Sequence, residues 1–161
     1  MPADAPAPSA GARDTYSVTV WPVVWPVDTH DSLVTDGFGP RREPTPGAGT
    51  FHDGVDFDPA YGTPIHAVAD GVVSESDGPV NVLGWHVFLE STIDGVPTQT
   101  RYGHMNARPL VGVGDAVHKG QVIGYVGSTG VSTGPHLHFG VFVGGVAIDP
   151  LPWLRDRAPP G

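Results

Sequence analysis

The sequence has no cysteine. That excludes disulfide staples and thiolate metal sites, so any metal bound here is held by His, Asp, Glu and water. Positive charge is also scarce, with 8 Lys and Arg against 17 Asp and Glu and a formal net charge of −9. Binding to a nucleic-acid backbone relies on clustered Lys and Arg that release counterions, so nucleic acid is not expected as a partner. No apolar run approaches the ~20 residues of a membrane span. The opening Met1-Pro2-Ala3-Asp4 lacks the basic-then-apolar order of a signal peptide. The expectation is an excised mature domain, or a chain that reaches its target by another route.

What is present is glycine and proline, 23 and 18 of 161 residues, beside 39% apolar residues arranged in alternating runs. The alternation argues for a folded, turn-rich and strand-rich globule with one core. Residues 1–14 are Pro/Ala-rich and hold almost no large apolar side chain, so they read as a flexible tail. One domain is expected over residues 15–155, and a C-terminal tail over 156–161. Tyr16 to Val20 reads as a first strand, followed by Trp21-Pro22 and Trp25-Pro26 as extended core packing. Trp85 to Glu90 and Thr98 to His104 read as a hairpin around Asp94-Gly95, and Leu137 to Val143 and Val146 to Ile148 as another around Gly144-Gly145. Thr63 to Ser74 reads as a strand broken at Asp70-Gly71. No segment sustains a 3.6-residue period, so the expected fold class is all-β with an antiparallel sheet.

The eight histidines divide by context. His30, His66, His86 and His118 read as solvated, packed or hydrogen-bonded side chains without a functional role. His136 and His138, separated by Leu137, project from one face of a strand with Cβ atoms about 7 Å apart. Phe51 to Asp58 places four candidate ligands in a short span, and Gly54 and Val55 disfavour a helix there. In an extended chain His52, Asp56 and Asp58 share a face and Asp53 points the other way. His104 ends a strand. Three N/O ligands with an open fourth position is the arrangement of a catalytic zinc, and the remaining groups can serve as base and oxyanion donor. Spacing alone leaves open which imidazoles bind and which do chemistry, and a metal-free hydrogen-bonded cluster is the alternative.

The segments Phe51-His-Asp-Gly-Val-Asp56, Tyr102-Gly-His104 and Ser128-Thr-Gly-Val-Ser-Thr-Gly-Pro-His-Leu-His-Phe139 together resemble the lysostaphin-like (LytM-type) zinc metallopeptidases, which cut peptide bonds in bacterial peptidoglycan. Asp36 to Arg41, Gly62 to Pro64, Ala69 to Gly71, Val113 to Gln121 and Asp149 to Leu151 match in the same order, so the resemblance covers about residues 36–154. It implies a small antiparallel sheet framework with a groove floored by one zinc ion per chain. His52, Asp56 and His138 fall on the family's zinc ligands, and His104 and His136 on its two non-ligand active-site histidines. By that resemblance His136 takes a proton from a metal-activated water and His104 helps hold the oxyanion and leaving amine, or the two exchange roles. The implied partner is bacterial peptidoglycan, at an extracellular, periplasmic or phage-associated wall.

Two departures stand out. Many relatives carry an acid after His-Leu-His-Phe, where this chain has Gly140, which implies a difference in strand packing or in the groups behind the ligands. Glycyl-glycine cutters carry a tyrosine a few residues before the first ligand, where this loop reads Pro44-Thr-Pro-Gly-Ala-Gly-Thr50; direct cross-links and stem-peptide bonds are therefore also expected substrates. The alternatives are a non-catalytic wall-binding or regulatory module of the same fold, and a biotinyl or lipoyl carrier prompted by Val113 to Gln121, in which Lys119 is the one lysine of the chain.

Overall fold

The alternating segments pair as adjacent antiparallel strands, and the turns between them carry the residues that such turns demand. In this computed structural model, which describes residues 20–28 and 34–160, the elements in order are β1 (Val34–Asp36), β2 (Gly39–Pro40), β3 (Phe51–His52), β4 (Val55–Phe57), β5 (Pro64–His66), β6 (Gly71–Asp77), β7 (Trp85–Ile93), β8 (Val96–Met105), β9 (Ala116–Val117), β10 (Val122–Tyr125), β11 (Leu137–Val143), β12 (Val146–Ile148) and α1 (Pro150–Arg157). Asp94 and Gly95 both have positive φ, 53° and 78°, and join β7 to β8 with Ile93 opposite Val96. A two-residue turn of that hand matches the twist of the strands it connects. Gly144-Gly145 makes the equivalent turn between β11 and β12.

The main sheet has eight strands in the order β1-β4-β11-β8-β7-β6-β9, with β12 also paired to β11; β10 with β5 and β2 with β3 form two small separate sheets. Strand β11 fixes the geometry that matters. Its Leu137, Phe139 and Val141 are fully buried, and alternation turns His138 and Gly140 to the opposite face. The register sets His138 opposite Asp56 on β4 and opposite Gly103 on β8. Beneath the sheet lie Phe57, Ile65, Leu89, Tyr102, Met105, Ile123 and Leu154. The Tyr102 hydroxyl accepts from the Val68 amide at 3.0 Å and shares a 2.9 Å hydrogen bond with Thr100 Oγ1.

The antiparallel sheet carries one addition absent from the sequence reading, helix α1. Asp149 caps it, its side chain accepting from the Leu151 amide at 3.1 Å, and Pro150 occupies the first turn, where its missing N–H costs nothing. Two turns are too few to display a 3.6-residue period. The helix buries Trp153 and Leu154 and runs past 155: Ala158 is buried and its amide donates to the Leu154 carbonyl at 2.7 Å. Arg157 pairs with Asp94 at the hairpin tip, 3.3 Å away. Trp25 packs on the core and its indole N–H donates to the Pro159 carbonyl at 2.6 Å, as expected of a packing residue. The expected tail at 1–14, Tyr16 to Thr19 of the expected first strand and His30 lie outside the described residues, and Val20, the last residue of that expected strand, is not in a strand.

Candidate metal centre and active site

Strands β3 and β4 are separated by a bend at Asp53-Gly54, and this bend builds the site. Gly54 lies so close to β11 that a Cβ there would stand 2.3 Å from the Phe139 carbonyl oxygen and 2.8 Å from His138 Cε1. Only glycine permits that approach. It brings His52, at the end of β3, against Asp56 on β4 and His138 on β11. His52 Nδ1 lies 2.9 Å from the Gly37 carbonyl oxygen; a carbonyl only accepts, so Nδ1 carries the proton and Nε2 offers a lone pair. That Nε2 is 3.0 Å from Asp56 Oδ1 and 3.0 Å from His138 Nδ1, and His138 Nδ1 is 3.2 Å from the same Asp56 oxygen.

Three acceptor atoms on buried or largely buried side chains thus face one another, and they repel unless a cation or a proton sits among them. Burial opposes the charge on Asp56, but hydrogen bonding from His138, with the His52 ring alongside, outweighs it and holds the carboxyl well below the usual carboxylate range. Burial likewise pulls the His138 pKa down, and its hydrogen bonds to Asp53 and Asp56 override that and raise it to about 9. Without a metal, a proton satisfies the cluster. The ligand atoms of His52, Asp56 and His138 all lie within 4.8 Å of one another, a spacing that can hold a metal ion, and two nitrogens with one carboxylate oxygen suit zinc.

Asp53 is where strict alternation fails. The bend turns its carboxylate inward, with Oδ1 3.1 Å from His138 Nε2. Hydrogen bonding from His138 outweighs burial and lowers the Asp53 pKa. Asp58, expected on the ligand face, lines the groove but stands outside the group of three.

His104 and His136 flank the cluster, their ring centroids 4.4 Å apart. His136 Nε2 lies 3.7 Å from Asp56 Oδ2. Both rings donate from Nδ1 to loop carbonyls, His104 to Thr129 at 2.6 Å and His136 to Gly134 at 2.9 Å, which leaves each Nε2 as an acceptor. Burial, reinforced by the charge of His136, lowers the His104 pKa to about 4, so this ring is neutral at pH 7. His104 also has φ 63°, a conformation uncommon for a residue with a Cβ and characteristic of sites whose surroundings dictate the backbone. Its amide donates to Leu83 at 2.6 Å, and Thr129 Oγ1 ties the same loop to Trp85 N and Met105 O at 3.0 and 2.5 Å.

These groups open into a groove of about 760 Å³ whose walls include Arg42, Val82, Arg101, Ser132 and Pro135. Arg41 pairs with Asp36 and donates to Ala48 O at 2.9 Å, which holds the loop at 41–50 in place as one wall. The other described histidines behave as expected: His66 bonds Gly120 O, buried His86 bridges Gly84 O and Glu75, and His118 is exposed. Lys119 donates from Nζ to Trp21 O at 2.6 Å, unlike the free tip lysine of a carrier domain.

A His/Asp/His group that could hold a metal ion on an antiparallel sheet, with two further imidazoles beside it in an open groove, is an arrangement of the metallopeptidase type. Residues 50–150 match the model of peptidase family M23, and the chain belongs to that family. It is 40% identical over 118 residues to the peptidoglycan DD-endopeptidase ShyC of Vibrio cholerae, covering 73% of this chain and 26% of ShyC. Among solved structures it superimposes on the catalytic domain of the antimicrobial peptidase lysostaphin from Staphylococcus simulans, with TM-score 0.68 and 38% identity over 78% of this chain and 94% of that one. A zinc-containing peptidase from Vibrio cholerae gives TM-score 0.66 and 37% identity over 78% of this chain and 37% of that one. The chain spans 24–33% of the length of the first curated relatives it matches.

Proposed function

We propose that this chain is a zinc-dependent endopeptidase that hydrolyses peptide bonds of bacterial peptidoglycan, with His52, Asp56 and His138 holding one zinc ion and His104 and His136 handling protons. The observation that carries the proposal is the convergence of three acceptor atoms within 4.8 Å, with two more imidazoles presenting acceptor nitrogens to the same space. Similarity to ShyC, lysostaphin and the zinc-containing Vibrio enzyme supports the metal, the substrate class and a wall location, extracellular, periplasmic or phage-associated.

When bound, zinc supplies Lewis acidity and lowers the pKa of water to about 7. The protein supplies the rest. His136, its Nδ1–H committed to Gly134, accepts the proton of the attacking water at Nε2 and returns it to the leaving amine. His104, its Nδ1–H held by Thr129, turns a neutral acceptor Nε2 toward the same space, where it takes up a proton in transit between the attacking water and the leaving amine. The loop at 41–50, braced by the Arg41–Asp36 pair, and the Ser128–Pro135 segment form the two walls that lay an extended peptide across the metal. Intact ligands and intact flanking histidines favour this reading over a non-catalytic module.

Metal analysis and wall digestion test the proposal. About one zinc per chain is expected, with loss of wall lysis in His138→Ala and His52→Ala and a fall of roughly 10²–10⁴-fold in His136→Ala. A chain purified with zinc in excess that holds none, or a His138→Ala variant that lyses walls as well as the native protein, overturns it. Mass analysis of the released fragments then names the bond.

A further inference from the structure

Asp53 stands outside the group of His52, Asp56 and His138, at the edge of the groove. Its Oδ1 lies 3.1 Å from Nε2 of His138, while Nδ1 of the same ring faces His52 and Asp56. The two nitrogens lie on different edges of the ring, so a carboxylate at Nε2 stands behind the imidazole rather than beside the metal position. A carboxylate only accepts. The contact therefore fixes the proton on Nε2 and reserves the Nδ1 lone pair for the cluster. Gly54 makes room for it, since a Cβ there would lie 2.9 Å from His138 Nε2. On the far side Arg101 is held in place by stacking on Phe142 and Phe88, 3.7 and 4.2 Å from their ring centres, and adds positive charge near the carboxylate.

We propose that Asp53 is a positioning residue for the metal centre, which holds His138 in the tautomer and ring orientation that present Nδ1 to the ion. The inference rests on the reading of His52, Asp56 and His138 as metal ligands. A carboxylate or carbonyl behind a ligating histidine orients the ring and raises its basicity, and losing such a partner typically costs about 10–100-fold in metal affinity. Asp53 is 47% exposed at its side chain, and Asp56 stays 3.2 Å from His138 Nδ1, so removing Asp53 still leaves the buried ring a carboxylate partner.

The experiment is chelator competition for zinc by the full chain as native protein, Asp53→Ala, Asp53→Asn and Asp53→Glu, with the ring-nitrogen NMR signals of His138 recorded on the zinc-loaded samples. Asp53→Ala is expected to weaken zinc binding about 10–100-fold and to broaden or shift the Nε2–H signal. Asp53→Asn keeps an acceptor oxygen without charge and is expected to fall between, and Asp53→Glu to recover part of the affinity. Native protein that binds zinc tightly, with Asp53→Ala binding equally well and showing an unchanged His138 signal, overturns the role of Asp53 alone. Native protein that binds no zinc overturns the metal reading and this inference with it. Unchanged thermal unfolding of the metal-free variants separates positioning from general destabilisation.

Discussion

Gly54 is the residue on which the site turns. Its missing side chain lets the β3–β4 bend press against β11, and that bend brings His52 to the Asp56–His138 pair that the strand register sets. Gly54→Ala would put a methyl carbon 2.3 Å from the Phe139 carbonyl oxygen, a backbone atom that cannot swing aside as a side chain can. Overpacking of this kind costs about 1–3 kcal/mol, so a clear fall in the urea midpoint is expected, together with weaker zinc binding, since the ligands move apart when the bend opens. An alanine variant with the native midpoint would show that the bend adapts freely. At this scale the sequence singled out His52, Asp56, His104, His136 and His138 beside glycine-rich segments, and the structure brings these five side chains together. The contact of Asp53 with His138 was not legible, because period-two alternation assumes a straight strand and the chain bends at that residue.

At the scale of elements, the two hairpins were legible because their turns are short and their strands alternate over many residues. Strands β2, β3 and β9, of two residues each, have no periodicity to read, and the pairing of β5 with β10 joins segments more than fifty residues apart that no local pattern links. Helix α1 displayed its cap and its first-turn proline but not its period. Strand β8 yields a pH prediction. Tyr102 is fully buried, and burial outweighs its hydrogen bonds to raise the phenol pKa to about 12. The unfolded chain loses this proton near pH 10, before the folded one does. The stability associated with the neutral buried phenol is thus complete below about pH 10 and lost as pH rises toward 12, on the order of 2–3 kcal/mol. Between pH 9 and 12 the unfolding free energy of the native protein should fall relative to Tyr102→Phe, and parallel curves for the two would contradict the assignment.

For the molecule as a whole, the net charge of −9 bears on how it would meet the proposed wall substrate. Like charges repel across roughly a Debye length, about 10 Å at 0.1 M salt, so an acidic chain gains no steering toward an anionic wall. Binding of this chain to isolated walls should hold steady or rise between 50 and 500 mM salt, on the order of a few-fold, as measured by co-sedimentation of a zinc-loaded, inactive His136→Ala variant. Tight binding that weakens steeply with salt would instead reveal a basic wall-binding patch. Among the described residues no helix is long and apolar enough to cross a membrane.

The left-handed backbone at His104 decides how its chemistry can be dissected. Asparagine accepts positive φ more readily than alanine, so His104→Asn removes the imidazole and its Thr129 contact while leaving the backbone bonds of residue 104 to Leu83 and Gly127 in register. Alanine removes the ring and relaxes the backbone together. Any rate lost by alanine beyond that lost by asparagine measures how far the enzyme depends on a fixed loop, separately from the imidazole that the loop carries.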